Sequence, residues 1–299
     1  MKKQFLALAV AAAAALAATG AQAQANDTLA KIKSSGKAVM GVRESSAPLA
    51  YTLGDGKYTG YHVELCEKIL HAVAPQAKIE YTPVTSANRI PLVQNGTVDL
   101  ECGSTTNNLA RQKDVAFGLT TYVTEVRTAV KANSGIKSVA QLAGKTVATT
   151  TGTTSVALLR KHERATGLEF KEVYGKDHAD SFLLLESGRA DAFVMDDNIL
   201  AGLIASSKNP KDYAIVGETL NVEPIAVMMR KDDPAFKKAV DDQIRTMIKS
   251  GDLEKLYNKW FMSPIPPKNT SVNLPMGSVL KSLMVNPNDK PAEDFNAKK

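Results

Sequence analysis

Three arginines stand just beyond apolar, strand-like runs. Arg43 follows Ala38–Val42, Arg89 opens a helical stretch after Lys78–Val84, and Arg111 comes after Val98–Cys102. Hydroxyl residues accompany two of them: Ser86 precedes Arg89, while Ser104, Thr105 and Thr106 precede Arg111. A guanidinium is a planar fork of N–H donors that matches a carboxylate with two parallel hydrogen bonds. Taken singly, each arginine is an ordinary surface residue; three at equivalent strand ends describe a site for a small anion. The segment Thr150-Thr151-Gly152-Thr153-Thr154-Ser155 lies between a strand and a helix. It is either a helix N-cap or a second cradle for an anion, made of hydroxyls and free N–H groups. Asp196-Asp197 places two carboxylates at another strand end, which reads as a solvated cap rather than an acid/base dyad.

Other chemistries lack their signatures. GxSxG, HExxH, GxGxxG and GxxxxGK[ST] do not occur. The four histidines, His62, His71, His162 and His178, show neither i, i+4 nor HxH spacing, and no CxxC is present, so neither a metal site nor a cofactor is expected. The 37 Lys+Arg against 31 Asp+Glu give a net charge of +6, which invites nucleic acid, an anionic membrane or an acidic small molecule. Aromatic residues are only 6% and no Lys/Arg block is long, which excludes a nucleic-acid face of stacked bases and phosphates. With 44% hydrophobic and 23% charged residues in 299, the chain is globular, either one large domain or two modest ones.

Part of the positive charge belongs to an export signal. Lys2 and Lys3 precede an apolar run from Phe5 to Ala18, too short to span a bilayer as a helix, and small residues follow at Ala21, Ala23 and Ala25. This is the pattern of a secretory signal peptide over residues 1–25, with cleavage after Ala23 or Ala25. The mature chain is then exported, with 35 basic residues against 31 acidic ones, or +4. Export also places Cys66 and Cys102 in an oxidising compartment, where they are either a disulfide or two buried thiols.

The elements that must position these groups alternate in type. Ala38–Val42, Lys78–Val84 and Val98–Cys102 read as strands separated by helices Tyr61–Val73 and Arg89–Asn95. A second series begins at Thr146–Thr149 and continues through helix Thr154–Glu163, strand Phe170–Val173, helix Asp180–Ser187 and strand Asp191–Met195. Such alternation predicts α/β layers with mainly parallel strands. Leu92–Leu100 and Leu184–Ala192 share one layout, in which a helix stops at a glycine and an aspartate three residues later opens a strand. The match is either a repeat of one lobe or the common helix–Gly–strand unit. Pro234–Lys249 and Asp252–Phe261 read as amphipathic helices, and the Pro/Asn-rich tail after Pro264 reads as a strap over the surface.

Several segments resemble a known family. They are Gly41-Val42-Arg43-Glu44-Ser45-Ser46-Ala47-Pro48, Thr85-Ser86-Ala87-Asn88-Arg89-Ile90-Pro91, Asn95-Gly96-Thr97-Val98-Asp99 and Glu101-Cys102-Gly103-Ser104-Thr105-Thr106-Asn107-Asn108. Further matches are Lys176-Asp177-His178-Ala179-Asp180-Ser181-Phe182, Glu186-Ser187-Gly188-Arg189-Ala190, Met195-Asp196-Asp197 and Pro264-Ile265-Pro266-Pro267. Together they are similar to the periplasmic glutamate/aspartate-binding proteins of ABC importers, the polar amino acid branch of solute-binding protein family 3.

The resemblance implies a type II, two-lobed periplasmic binding protein fold, α/β throughout, with the ligand cleft between lobes joined by two crossing strands near Thr124–Val130 and Val222–Val227. Residues 26–124 and 224–299 would form one lobe and residues 125–223 the other. It further implies that Arg43, Ser86, Arg89 and His178 hold the ligand's side-chain carboxylate. Arg111, Thr106 and Thr154 would hold the α-carboxylate, and Ser104, Thr106 and Asp196 the α-ammonium. The expected protein is a periplasmic monomer that binds L-glutamate or L-aspartate, closes, and presents both lobes to a membrane permease. On the same fold, a cyclohexadienyl-dehydratase-like enzyme or a ligand-sensing module for a separate receptor are the alternatives. Many relatives carry an aromatic residue where this chain has Leu49, so ring stacking on the ligand is not expected there.

Overall fold

The computed structural model describes residues 27–296. The signal-peptide reading of residues 1–25 lies outside the described residues. In the first series of elements, helix α1 (Thr28–Ser35) leads into β1 (Lys37–Val42), and a short meander follows: β2 (Ser45–Ser46), β3 (Ala50–Gly54) and β4 (Lys57–Thr59). Then come α2 (Tyr61–Val73), β5 (Lys78–Pro83), α3 (Arg89–Gln94), β6 (Leu100–Glu101) and β7 (Val115–Phe117). The strand β8 (Tyr122–Lys131) is long and opens the second series: β9 (Thr146–Thr150), α4 (Thr154–Thr166), β10 (Lys171–Gly175), α5 (His178–Glu186), β11 (Ala192–Asp196) and α6 (Asp197–Ser206). The chain returns through β12 (Tyr213–Ile225) to β13 (Met228–Arg230), α7 (Pro234–Ser250), α8 (Asp252–Tyr257), α9 (Ser278–Val285) and α10 (Ala292–Phe295).

Two five-stranded sheets result, ordered β5-β1-β6-β13-β7 and β10-β9-β11-β8-β12. In each, three parallel strands are followed by one reversed strand that pairs antiparallel with both its neighbours, so the two lobes share one topology. The repeat seen in the sequence has a hydrogen-bonded counterpart. Gly96 and Gly188 both adopt left-handed φ values of 75° and 72°, and the chain just beyond each folds back identically, with Val98 N–H donating to Leu92 O and Ala190 N–H to Leu184 O, both at 2.9 Å. The aspartate carboxylates that follow accept from the neighbouring strand, Asp99 from Val39 N and Asp191 from Thr146 N. A glycine is required at each stop because a left-handed turn costs a β-carbon dearly.

Both faces of each sheet are covered. In the second lobe, Val147 and Val194 pack on one face while Ala148, Phe193 and Met195 pack on the other, as expected for strands buried on both sides. The first lobe closes over an aromatic cluster in which Phe261 stacks on Tyr122 and Tyr257 at 4.7 and 4.4 Å between ring centres. Cys66 on α2 and Cys102 at the end of β6 form a disulfide inside this core, with Cα atoms 6.3 Å apart, which resolves the two readings of the cysteines. Leu49 is buried in the same core.

Two sequence expectations need correction. The Asp252–Phe261 helix ends at Tyr257 and continues as a π-turn, Asn258–Met262. The tail is more than a polar strap, because it forms α9 and α10, and Leu280 and Leu283 enter the first-lobe core. The β2–β4 meander had no sequence expectation, since its strands are only two to five residues long and carry little periodicity.

Candidate ligand-binding site

The carboxyl ends of three parallel strands in each lobe point toward one another, the place where open α/β sheets bind ligands. From the first lobe, β1 leads directly to Arg43, β5 leads through Ser86 to Arg89, and β6 leads through Ser104 to Thr106. From the second, β9 leads to Thr153 and Thr154, β10 to Asp177 and His178, and β11 ends on Asp196. Between them is a small, narrow cavity. Ser86, Arg89, Ser104 and Thr106 line it from one lobe, and Thr154, His178 and Asp196 from the other, with Thr153 and Met195 completing the wall. Of the residues singled out in the sequence, Arg43 and Arg111 stand just behind this lining.

Arg43 is fully buried and organises one end of the cavity. Its guanidinium donates to Ser104 Oγ at 3.2 Å, to Ser86 Oγ at 3.0 Å and to Asp177 Oδ1 at 2.6 Å. A fourth contact, at 3.2 Å, meets His178 Nε2. Because arginine only donates, that ring nitrogen accepts, and the proton resides on Nδ1, which donates to Thr150 Oγ1 at 3.0 Å. Burial first, then the adjacent Arg43, lowers the His178 pKa to about 3, so the ring is neutral. In this arrangement His178 fixes Arg43.

Arg89 differs from Arg43 in having no fixed partner for much of its fork. It is 2% exposed, and neither Nε nor Nη1 meets a hydrogen-bond partner among the described residues. Burial, then Arg111 and Arg43, press its pKa well below the ordinary arginine range. A desolvated cation held between two others demands a negative group. Arg111 spends two donors on carbonyls, Thr106 O at 2.9 Å and Gly152 O at 3.3 Å, and so bridges the lobes.

Asp196 is corrected from a solvated cap to a buried wall of the cavity, 4% exposed. Burial, then Glu223 and Asp197, raise its pKa well above the usual carboxylate range, against the pull of Arg89 and Arg111. Its neighbour Asp197 faces away and accepts from Thr124 Oγ1 at 2.7 Å.

Sequence reasoning missed two acidic groups. Asp177 caps α5 and also reaches across the cleft, accepting from Arg43 and from Ser45 Oγ at 3.0 Å. Burial works against ionisation of Asp177, but Arg43 and His178 outweigh it and leave the pKa below its ordinary value. Glu223, 1% exposed on β12, accepts from Thr106 Oγ1 at 2.6 Å and Thr154 Oγ1 at 2.8 Å. The signal for Asp177 was its place inside the quoted Lys176-Asp177-His178 segment; nothing local marked Glu223.

The lobes touch closely at two glycines. A β-carbon on Gly152, whose φ is 81°, would lie 2.8 Å from the backbone of Ala87, and one on Gly202 would lie 2.5 Å from the carbonyl oxygen of Ala47.

A cleft between two like α/β lobes, lined by buried charges of both signs, defines a small-molecule receptor of the two-lobed, type II periplasmic binding class. The model of the bacterial extracellular solute-binding proteins, family 3, matches residues 38–263, and the chain belongs to that family. A glutamate/aspartate import solute-binding protein of Escherichia coli strain K12 is 46% identical over 271 residues, covering 89% of this chain and 90% of that protein. An L-glutamate/L-aspartate-binding protein of Pseudomonas aeruginosa is 46% identical over 275 residues, 90% of this chain and 91% of its own length. Among solved structures, a mutant of ArgBP from T. maritima superposes with a TM-score of 0.71 at 28% identity, covering 78% of this chain and 98% of that one. The ancestral amino acid-binding protein AncCDT-1, a precursor of cyclohexadienyl dehydratase, gives 0.69 at 27% identity, covering 78% and 99%.

Proposed function

We propose that this protein is a periplasmic carrier of L-glutamate and L-aspartate, which it delivers to the permease of an ABC importer by closing its cleft. The observation that carries the reading is Arg89, buried at the cavity wall with two unpartnered nitrogens, in one small cavity with the carboxylate of Asp196. A dicarboxylic amino acid brings two negative groups and one positive group, the complement of that wall. Arg89, with Ser86 and the Arg43 that His178 holds, takes the side-chain carboxylate. Arg111 and the N-terminal turn of α4 at Thr154 take the α-carboxylate, the helix end supplying free N–H groups and the positive pole of its dipole. Ser104, Thr106 and Asp196 take the α-ammonium.

The lobes in this scheme are residues 26–124 with 224–299, and 125–223. Their closure is driven by the ligand because only the closed state joins Arg89 to Asp196 around one molecule. The 46% identity to two proteins named for glutamate and aspartate supports the choice of ligand. Calorimetric titration of the purified mature chain with the twenty amino acids tests it: saturable binding is expected for glutamate and aspartate, and equal affinity for neutral amino acids would overturn it. The protein is proposed to catalyse nothing. Formation of an aromatic product on incubation with prephenate or arogenate would replace the carrier by the dehydratase-like enzyme.

A further inference from the structure

Glu223 occupies an unusual place for a buried carboxylate. It lies on β12, opposite Thr124 in the β8–β12 ladder, a few residues before the chain re-enters the first lobe at β13. One oxygen, Oε2, accepts from a hydroxyl of each lobe: Thr106 in the loop after β6 and Thr154 at the start of α4. The other, Oε1, accepts from Asn221 Nδ2 at 3.0 Å. Arg111 lies close enough to feel its charge.

A threonine hydroxyl has one hydrogen and two lone pairs, and an ionised carboxylate only accepts. At 2.6 and 2.8 Å, both hydroxyl hydrogens are therefore committed to Glu223. Thr106 and Thr154 also line the cavity, so their hydroxyls can offer it only lone pairs. Asp196, which has no side-chain hydrogen bond among the described residues, adds further acceptors to the same wall. One part of the cavity is thus built of acceptors alone, and a group placed there must donate.

We infer that Glu223 is a positioning residue that makes the cavity read the α-ammonium: by holding the hydrogens of Thr106 and Thr154, it turns both hydroxyls into acceptors for that group. The inference rests on the proposed dicarboxylic amino acid ligand. It refines the part of Thr154, whose hydroxyl then faces the ammonium while the backbone N–H groups of its helix turn face the α-carboxylate.

The test compares L-glutamate with glutarate, which keeps two carboxylates and lacks the amine. In the wild-type mature protein, glutamate is expected to bind much more tightly. In Glu223→Gln, an amide of the same shape can donate to the hydroxyls and release their hydrogens toward the cavity. The glutamate/glutarate affinity ratio should then fall at least tenfold, chiefly through glutamate. A ratio that stays within twofold of the wild type, whether both affinities fall together or neither changes, overturns the inference and leaves the carrier reading intact. Wild-type protein that binds neither ligand overturns both. Thr154→Val and Thr154→Ser keep the question decidable should Glu223→Gln not fold. Val should lower the ratio and Ser should restore it, and equal behaviour of the two variants counts against the inference.

Discussion

Charge placed out of water sets the behaviour of single residues here. Arg43 and Arg89 are both buried, yet both terminal nitrogens of Arg43 are bonded, to Ser86, Ser104, Asp177 and His178, and only its Nε is left over, whereas neither Nε nor Nη1 of Arg89 has a partner among the described residues. Removing one partner of a desolvated charge pair costs about 3–5 kcal/mol, more than a hundredfold in affinity. Arg89→Ala should therefore weaken glutamate binding by that factor and change binding of a neutral amino acid far less, as titration calorimetry would show. Two buried histidines make a separate prediction about pH. Burial lowers His62 to about 4 and His178 to about 3, from an ordinary value of 6.5. Above pH 6.5 folded and unfolded chains both hold them neutral, and they add no pH dependence. Below it the unfolded chain takes up protons that the folded chain refuses, so stability falls by ~1.4 kcal/mol per pH unit for each histidine until its folded pKa is reached. Thermal melts from pH 8 to pH 4 should show this decline, and His62→Asn should make it shallower.

At the scale of elements, loops at strand ends carry the chemistry and cores anchor the loops. The Cys66–Cys102 disulfide ties α2 to the strand end from which Ser104 and Thr106 project. Closing a 36-residue separation restricts the unfolded chain by about 4 kcal/mol. Cys66→Ser with Cys102→Ser should lower stability by roughly that amount in denaturant melts, with a smaller effect on ligand affinity. Helix α6 offers a sharper test. Gly202 sits inside it, where alanine favours the helix by about 1 kcal/mol, but the new β-carbon would strike Ala47 O of the opposite lobe. Gly202→Ala should therefore raise or preserve the melting temperature of the ligand-free protein while weakening glutamate binding at least tenfold. A loss of both, or of neither, would show that this contact does not limit closure.

Across the whole molecule, two sheets of the same strand order face each other across a cavity. Bonds that cross it, Arg43–Asp177, Ser45–Asp177, Arg111–Gly152 O and Thr106–Glu223, hold the lobes together. Small-angle scattering should show the mature protein contracting on saturation with glutamate, and an unchanged radius of gyration would remove the closure mechanism. The net charge of +6 belongs to this scale too. Two of those charges lie in the signal-peptide reading, and Arg43, Arg89 and Arg111 point inward, so the basic excess describes one small acidic ligand rather than a polyanion.

Much of the frame was legible in the chain itself. Helix Tyr61–Val73 has the bounds its periodicity gives, and the Gly96/Asp99 and Gly188/Asp191 stops recur as the same turn. Hydrophobic period, capping glycines and strand-end arginines are local, so neighbours in sequence suffice to set them. The partnership of Arg43 with Asp177 spans 134 residues and that of Thr106 with Glu223 spans 117. No pattern of neighbours encodes such pairings, because they exist only once two separately packed lobes face each other. Sequence by itself determined which groups could recognise an anion and where along each strand they would stand. Tertiary structure alone decided which of them are spent on one another, which face the ligand with a donor or a lone pair, and that Asp196 is buried, since burial and hydrogen-bond direction follow from long-range packing.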